Sequence, residues 1–328
     1  MSINVHTSKR RARGADSWRL RRWAAIALAG CVVAVLTAGC DGAGKAGEAD
    51  GKIAATTTTT MITDLVRQIG GDRVEVTGLM GPGVDPHLYR ASQGDVSALR
   101  GADVVFYNGL FLEGQMGDIL EKTSRQTPTV QVTEAMLEED LLESPQYEGQ
   151  FDPHVWFDAT LWRMTVDPVV EQLSQLDPES ASYFEQRGEE YKRQIDELNF
   201  FVQEEISAIP EEQRVLVTAH DAFNYFGRQY GMEVRGLQGI STEAEAGSRD
   251  VQELADFLAE RKIKAIFVES SVPRRNIEAV QAAARDKGWD LEIGGQLYSD
   301  AGGDEGTEAE TYTGMFRENV ETITEALR

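Results

Sequence analysis

One helical signal, running from residue 177 to about residue 209, divides the rest of the chain into two halves. Asp177-Pro178-Glu179 opens it with an N-cap, a proline at the first helical position and an acid in the first turn, and Pro210 stops it. Tyr183, Phe184, Tyr191, Ile195, Leu198, Phe201, Val202 and Ile206 recur inside it at helical spacing, with charged residues between them. At ~1.5 Å per residue, roughly thirty residues reach about 45 Å, enough to pass along two lobes as a rigid spine. Strand and helix signals alternate on both sides of it. Before it, strands are expected at 52–58, 74–79 and 103–107 and helices at 62–69, 94–99 and 112–121. After it, strands are expected at 214–219, 233–237, 265–268 and 291–297, with helices at 221–230, 249–261, 276–287 and 310–327 and a Gly302/Gly303/Gly306 loop. Alternation of this kind builds parallel βα units. The expectation is an α/β protein of two lobes, each a mostly parallel sheet with flanking helices, joined by one long rigid helix. The boundaries read as 52–172 for the N-terminal lobe, 173–210 for the linking helix and 211–328 for the C-terminal lobe. No strict internal sequence repeat is visible.

Residues 1–39 read as an export signal: Lys9, Arg10, Arg11, Arg13, Arg19, Arg21 and Arg22 precede an apolar run from Trp23 to Leu36. The run is too short to span a bilayer comfortably, which argues against a retained membrane anchor. It ends in Leu36-Thr37-Ala38-Gly39-Cys40, similar to a bacterial lipobox, in which the cysteine is acylated and becomes the first mature residue. One acyl chain holds weakly and two hold firmly, so multiple acylation of Cys40 would keep the chain at the outer face of the cytoplasmic membrane. Residues 40–51 are small and polar and read as a flexible tether. Cys31 would leave with the signal, so the mature chain has no disulfide to form. The formal charge of −23 disfavours nucleic acid as a partner.

Three of the four histidines lie beyond the leader, each in a conspicuous setting. Asp85-Pro86-His87 and Asp152-Pro153-His154 repeat one tripeptide, in which proline stiffens the turn that delivers the imidazole. His220 ends the strand Val215-Leu216-Val217-Thr218-Ala219, and Asp300 follows the last strand; ligands gather at the carboxyl edge of open α/β sheets. A lone loop histidine is usually just exposed, and a lone aspartate after a strand usually caps a helix. Together, three imidazoles and a carboxylate make a four-ligand N/O site suited to zinc and, less selectively, manganese. Glu269 ends a buried strand and is a candidate to support a ligand or to cap Ser270 and Ser271. Asp85, Asp152 and Asp221 are candidates to orient imidazoles, and Trp156 and Tyr298 to exclude water. No HExxH, cysteine pair, phosphate loop or GxSxG elbow is present, so no catalytic residue is assigned.

The ordered set DPHLYR, DPHVWFD, VLVTAHDAFNYF, IFVESS and LYSDA, around a long mid-chain helix, resembles the TroA-like metal-binding solute-binding proteins of bacterial ABC importers. The resemblance covers residues 52–328. It implies metal ligation by His87, His154, His220 and Asp300, delivery of zinc or manganese to an importer permease, and limited motion between lobes. Many manganese-dedicated members carry Glu where this chain has His220, and the long His-rich loop of some zinc-dedicated members is absent, so the metal stays open. A monomer is expected. The rival readings are a zinc hydrolase, with Glu269 or an Asp as base, and a surface adhesin with a structural metal.

Overall fold

A computed structural model describes residues 51–328; the signal segment, Cys40 and nearly all of the expected tether lie outside the described residues. The first lobe opens with β1 (Ile53–Thr57), α1 (Thr60–Gly70), β2 (Val74–Gly78), α2 (Gln93–Gly101) and β3 (Val104–Tyr107). It continues with α3 (Gly117–Ser124), β4 (Thr129–Gln131), α4 (Ala159–Met164) and α5 (Val166–Leu176). Its strands form one parallel sheet in the order β2-β1-β3-β4. The helix starts are written locally. The Thr59 side chain accepts from the Ile62 amide at the head of α1, and Ser92 and Asp95 exchange reciprocal bonds at the head of α2.

The spine helix α6 (Ala181–Ser207) has 27 residues, and a 3-10 turn at Pro178–Ser180 precedes it. Asp177 accepts from the Ser180 amide, so the expected cap initiates this turn rather than the α-helix itself. The second lobe contains β5 (Val215–His220), α7 (Asn224–Tyr230), β6 (Glu233–Gln238), α8 (Ser248–Arg261) and β7 (Ala265–Glu269). It closes with α9 (Arg275–Asp286), β8 (Glu292–Leu297) and α10 (Tyr312–Leu327). β5 pairs with β6 and β7 with β8, both in parallel, and β5 packs beside β7 with no backbone ladder between them. The spatial order β6-β5-β7-β8 therefore repeats the order of the first sheet, a structural duplication without a matching sequence repeat.

Three differences from the expectation have physical causes. The helix expected from residue 112 begins at Gly117, because residues 109–111 turn with positive φ values of 82°, 50° and 69° and Gly114–Met116 then form a 3-10 turn before the α-helix starts. β4 was not expected, being only three residues long. α4 and α5 were also not expected, although Asp158 accepts from the Thr160 and Leu161 amides as an ordinary N-cap.

The largest apolar cluster runs without interruption through both lobes. It joins Ile62 and Leu65 of α1, Trp156, Trp162, Ile195 and Leu198, and Phe223, Phe226, Phe316 and Leu327. Smaller clusters cover the outer faces: Val217, Ile266 and Leu258 in the second lobe, Leu99, Val105 and Leu120 in the first. Gly188 lets α5 lie close on the spine, since a Cβ there would sit 2.6 Å from Val170 Cγ2. No helix among the described residues is long and apolar enough to cross a membrane.

Candidate metal centre

The two Asp-Pro-His tripeptides fold into the same turn. Asp85 Oδ1 accepts from the His87 amide at 2.9 Å, and Asp152 Oδ1 from the His154 amide at 3.0 Å. Each is an Asx turn, in which the carboxylate caps the amide two residues on while proline fixes the backbone between them. His87 is thereby presented on the β2–α2 connection and His154 just before α4. His220 is the last residue of β5, and Asp300 lies three residues beyond β8.

These four side chains, drawn from four distant segments, meet. Their candidate ligand atoms all lie within 4.8 Å of one another. His87 Nε2 is 3.3 Å from His154 Nε2, Asp300 Oδ1 is 3.4 Å from His154 Nε2, and Asp300 Oδ2 is 3.2 Å from His220 Nε2. His87 Nε2 stands 3.9 Å from Asp300 Oδ2. A tetrahedral ion with ~2.1 Å bonds has ligand–ligand edges of about 3.4 Å, which the three shortest of these separations match and the others exceed. All four residues are buried, with His87 at 4% exposure the most open of them. His220 Nε2 and both Asp300 oxygens are buried without any hydrogen-bond partner, an arrangement that a metal ion would satisfy.

The rings are oriented from behind. His154 Nδ1 lies 2.7 Å from Asp152 Oδ1, and His220 Nδ1 lies 2.5 Å from Glu269 Oε2, which leaves each Nε2 facing the common centre. Glu269 Oε1 also accepts from the His220 amide at 2.9 Å. The carboxylate of β7 thus bridges to the end of β5, where no ladder joins the two strands. It does not cap the serines after it: Ser270 Oγ has no partner, and Ser271 Oγ lies 2.8 Å from Ser299 Oγ. Asp85 binds the His87 backbone, and Asp221 accepts from the Gly236 amide at 2.6 Å. Among the three aspartates suggested by sequence, only Asp152 bonds an imidazole ring.

Trp156 stands edge-on to His154 with ring centroids 5.1 Å apart and donates its indole N–H to the Ser299 carbonyl, closing one side of the site. Tyr298 turns away, with its hydroxyl toward Glu318 on α10, so it does not shield the centre. Sequence reasoning missed the outer supports. Asn224 donates to Asp152 Oδ2, Asn108 donates to the Pro153 carbonyl, and Thr242 donates to Asp85. Asn224 stands four residues after His220, within reach of inspection, whereas the other two become visible only in three dimensions.

The electrostatics divide the imidazoles. Burial lowers the pKa of His87 to about 3, which leaves it neutral. Burial opposes a proton on His154 too, but the Asp152 carboxylate and Asp300 outweigh it and raise the pKa to about 9. His220 is raised well above its ordinary value, because the charges of Asp300 and Glu269 overcome the cost of burial. Asp300, which burial alone would neutralise, is held well below the usual carboxylate range by His220 and His154. Protons on His154 and His220 and a bound dication are therefore alternative ways to balance the same buried carboxylates.

Residues 56–326 match the family described as zinc-uptake complex component A, periplasmic, or ZnuA. The chain belongs to this family. The manganese-binding lipoprotein MntA of Bacillus subtilis is 52% identical over 307 residues, covering 93% of this chain and 97% of that protein. The zinc-binding protein TroA of Treponema pallidum is 49% identical over 283 residues, covering 86% of this chain and 91% of that protein. The solved structure of periplasmic zinc-binding TroA from Treponema pallidum superposes with a TM-score of 0.83 at 48% identity, covering 84% of this chain and 99% of that chain. These relatives are named for binding metal and not for an enzymatic activity. The family's two-lobed architecture with a connecting helix is the one described above.

Proposed function

We propose that this chain captures one divalent transition-metal ion, zinc or manganese, in the cleft between its lobes and delivers it to the permease of an ABC importer. His87, His154 and His220 act as ligands through Nε2, and Asp300 acts through its carboxylate. The observation that carries this reading is the convergence of four buried residues whose ligand atoms lie within 4.8 Å of one another, three of those atoms having no hydrogen-bond partner. The family and its metal-binding relatives support the same conclusion. Acylated Cys40 and the 40–51 tether hold the folded body, as a monomer, on the outer face of the cytoplasmic membrane.

Each residue has a definite task. Asp152 and Glu269 fix two imidazoles with Nε2 inward, so little side-chain entropy is lost when the ion arrives. Asp300 supplies one negative charge against the ion's two, while Trp156 and the apolar core beneath it keep water out. His154 and His220 give up their protons as the ion binds, and solvent takes them. A hydrolytic zinc site keeps one position open for water, whereas these four groups complete a tetrahedron.

The choice between the two metals follows affinity and supply. At an N/O site of this kind zinc outranks manganese, so zinc is expected to displace manganese when both are offered at equal concentration. The test is elemental analysis of the untagged soluble domain, residues 52–328, purified without chelator, followed by zinc–manganese competition. About one ion per chain, with zinc favoured, is expected. Protein that binds neither metal would sink the reading.

A further inference from the structure

The loop after β6, residues 239–243, reaches back over the first lobe at three points. Thr242 Oγ1 donates to Asp85 Oδ2 at 2.6 Å, the Ser241 amide donates to Gln146 Oε1 at 2.9 Å, and Gln115 Nε2 donates to Glu243 Oε1 at 2.5 Å. Of these residues, Thr242 and Ser241 are buried and the outer partners are exposed, so the Thr242 contact is the one least open to competition from water. Ile240, Ser241 and Glu243 of the same loop line a small pocket together with Leu110, Phe111 and His87. His87 is the most exposed of the four candidate ligands, and no hydrogen bond holds its Nδ1 among the described residues. The other two imidazoles are each locked at Nδ1 by a carboxylate.

Asp85 joins these facts. One of its oxygens accepts from the His87 amide within the turn, and the other accepts from the Thr242 hydroxyl of the opposite lobe. His87 has no carboxylate behind its ring, and its backbone turn is instead pinned across the cleft. We infer that Thr242 is a positioning residue that sets how fast the ion leaves, by holding through Asp85 the turn that carries His87. This inference rests on the reading of His87 as a ligand.

Thr242→Val keeps the shape of the side chain and removes its donor. In a chelator-chase measurement on the zinc-loaded domain, Thr242→Val is expected to release zinc about tenfold faster, the factor that ~1.4 kcal/mol provides. Its association rate should stay within about twofold, since interface changes act chiefly on dissociation. Thr242→Ser should restore slow release. A purely structural role would lower the melting temperature of the metal-free protein and leave the release rate unchanged, and that result overturns the inference. So does a Thr242→Ser variant that releases as fast as Thr242→Val. Should Thr242→Val fold poorly, Thr242→Ala makes the same comparison. His87→Ala separates the two readings. If it leaves zinc affinity intact, the ligand assignment falls; if it weakens affinity while Thr242→Val releases at the parental rate, only the latch falls.

Discussion

Asp300 has two buried oxygens whose polar neighbours are the imidazoles of the site itself, a costly condition for a carboxylate unless protons on those rings or a cation balance it. Asp300→Asn should therefore weaken zinc binding by more than about a hundredfold, beyond the usual loss for a supporting residue, while Glu269→Gln should lose about ten- to a hundredfold. Competition with a fluorescent chelator measures both, and equal losses in the two variants would contradict the separate roles given to them. The histidines themselves were legible in the sequence, because a repeated Asp-Pro-His and a strand-ending His are local patterns. Which carboxylate stands behind which ring was not legible. Asp152 is two residues from His154, but Glu269 is 49 residues from His220, and Thr242 is 157 residues from Asp85. Those distances along the chain carry no periodicity from which a contact could be read.

The spine helix shows what element-level patterns deliver and where they stop. Its apolar spacing, its proline-marked start and its end before Pro210 all appear in the fold, shortened by a 3-10 turn. The sequence did not reveal that Gly188 is there for packing. Alanine would ordinarily favour a helix over glycine by about 1 kcal/mol, yet here its Cβ would press on Val170, a β-branched side chain with little rotamer freedom. Overpacking of this kind costs about 1–3 kcal/mol. Gly188→Ala is expected to be net destabilising by about 1 kcal/mol, a fall of roughly 2 °C in Tm by calorimetry; a rise in Tm would mean that α5 shifts freely on the spine. The misplaced start of α3 has a similar lesson. Leu110 and Phe111 sit in left-handed backbone, and nothing in their identity announces it. The buried Glu113 carboxylate accepts from the Asn108 and Gly109 amides and the Thr58 hydroxyl, and so holds the loop in that form.

At the scale of the molecule, the proposed ligation makes protons and metal competitors for one site, with opposite marks on stability. His154 has a folded pKa raised from 6.5 to about 9, so its contribution to the metal-free fold is complete below the unfolded value and is lost as pH rises through about 9. Asp300 works the other way, with its contribution lost only in acid. With His154 ligating as proposed, the zinc-bound protein would have no such proton to lose, and zinc would bind more tightly as the competing protons leave. The melting temperature of the zinc-bound form minus that of the metal-free form should therefore widen steadily between about pH 6.5 and pH 9. Calorimetry across that range checks it, and a constant or shrinking gap would falsify the proton balance described for the site. An unperturbed imidazole would place this competition near pH 6.5; Asp152 and Asp300 move it upward. The lobed plan was legible from alternating strand and helix signals, whereas the single apolar cluster running through both lobes was not. That shared core opposes wide opening, since separating the lobes would expose Trp156, Phe223 and Phe316 together.

The bridge made by Glu269 has a consequence for how such a chain can change over generations. Because β5 and β7 share no backbone ladder, this one side chain both stitches the second lobe's paired strands at their ends and aims His220. Retuning the preference for one ion over another by altering that residue would loosen the scaffold in the same stroke. Drift toward a new cargo is thus more accessible at the ligand positions themselves, or along the rim above His87, than at this seam.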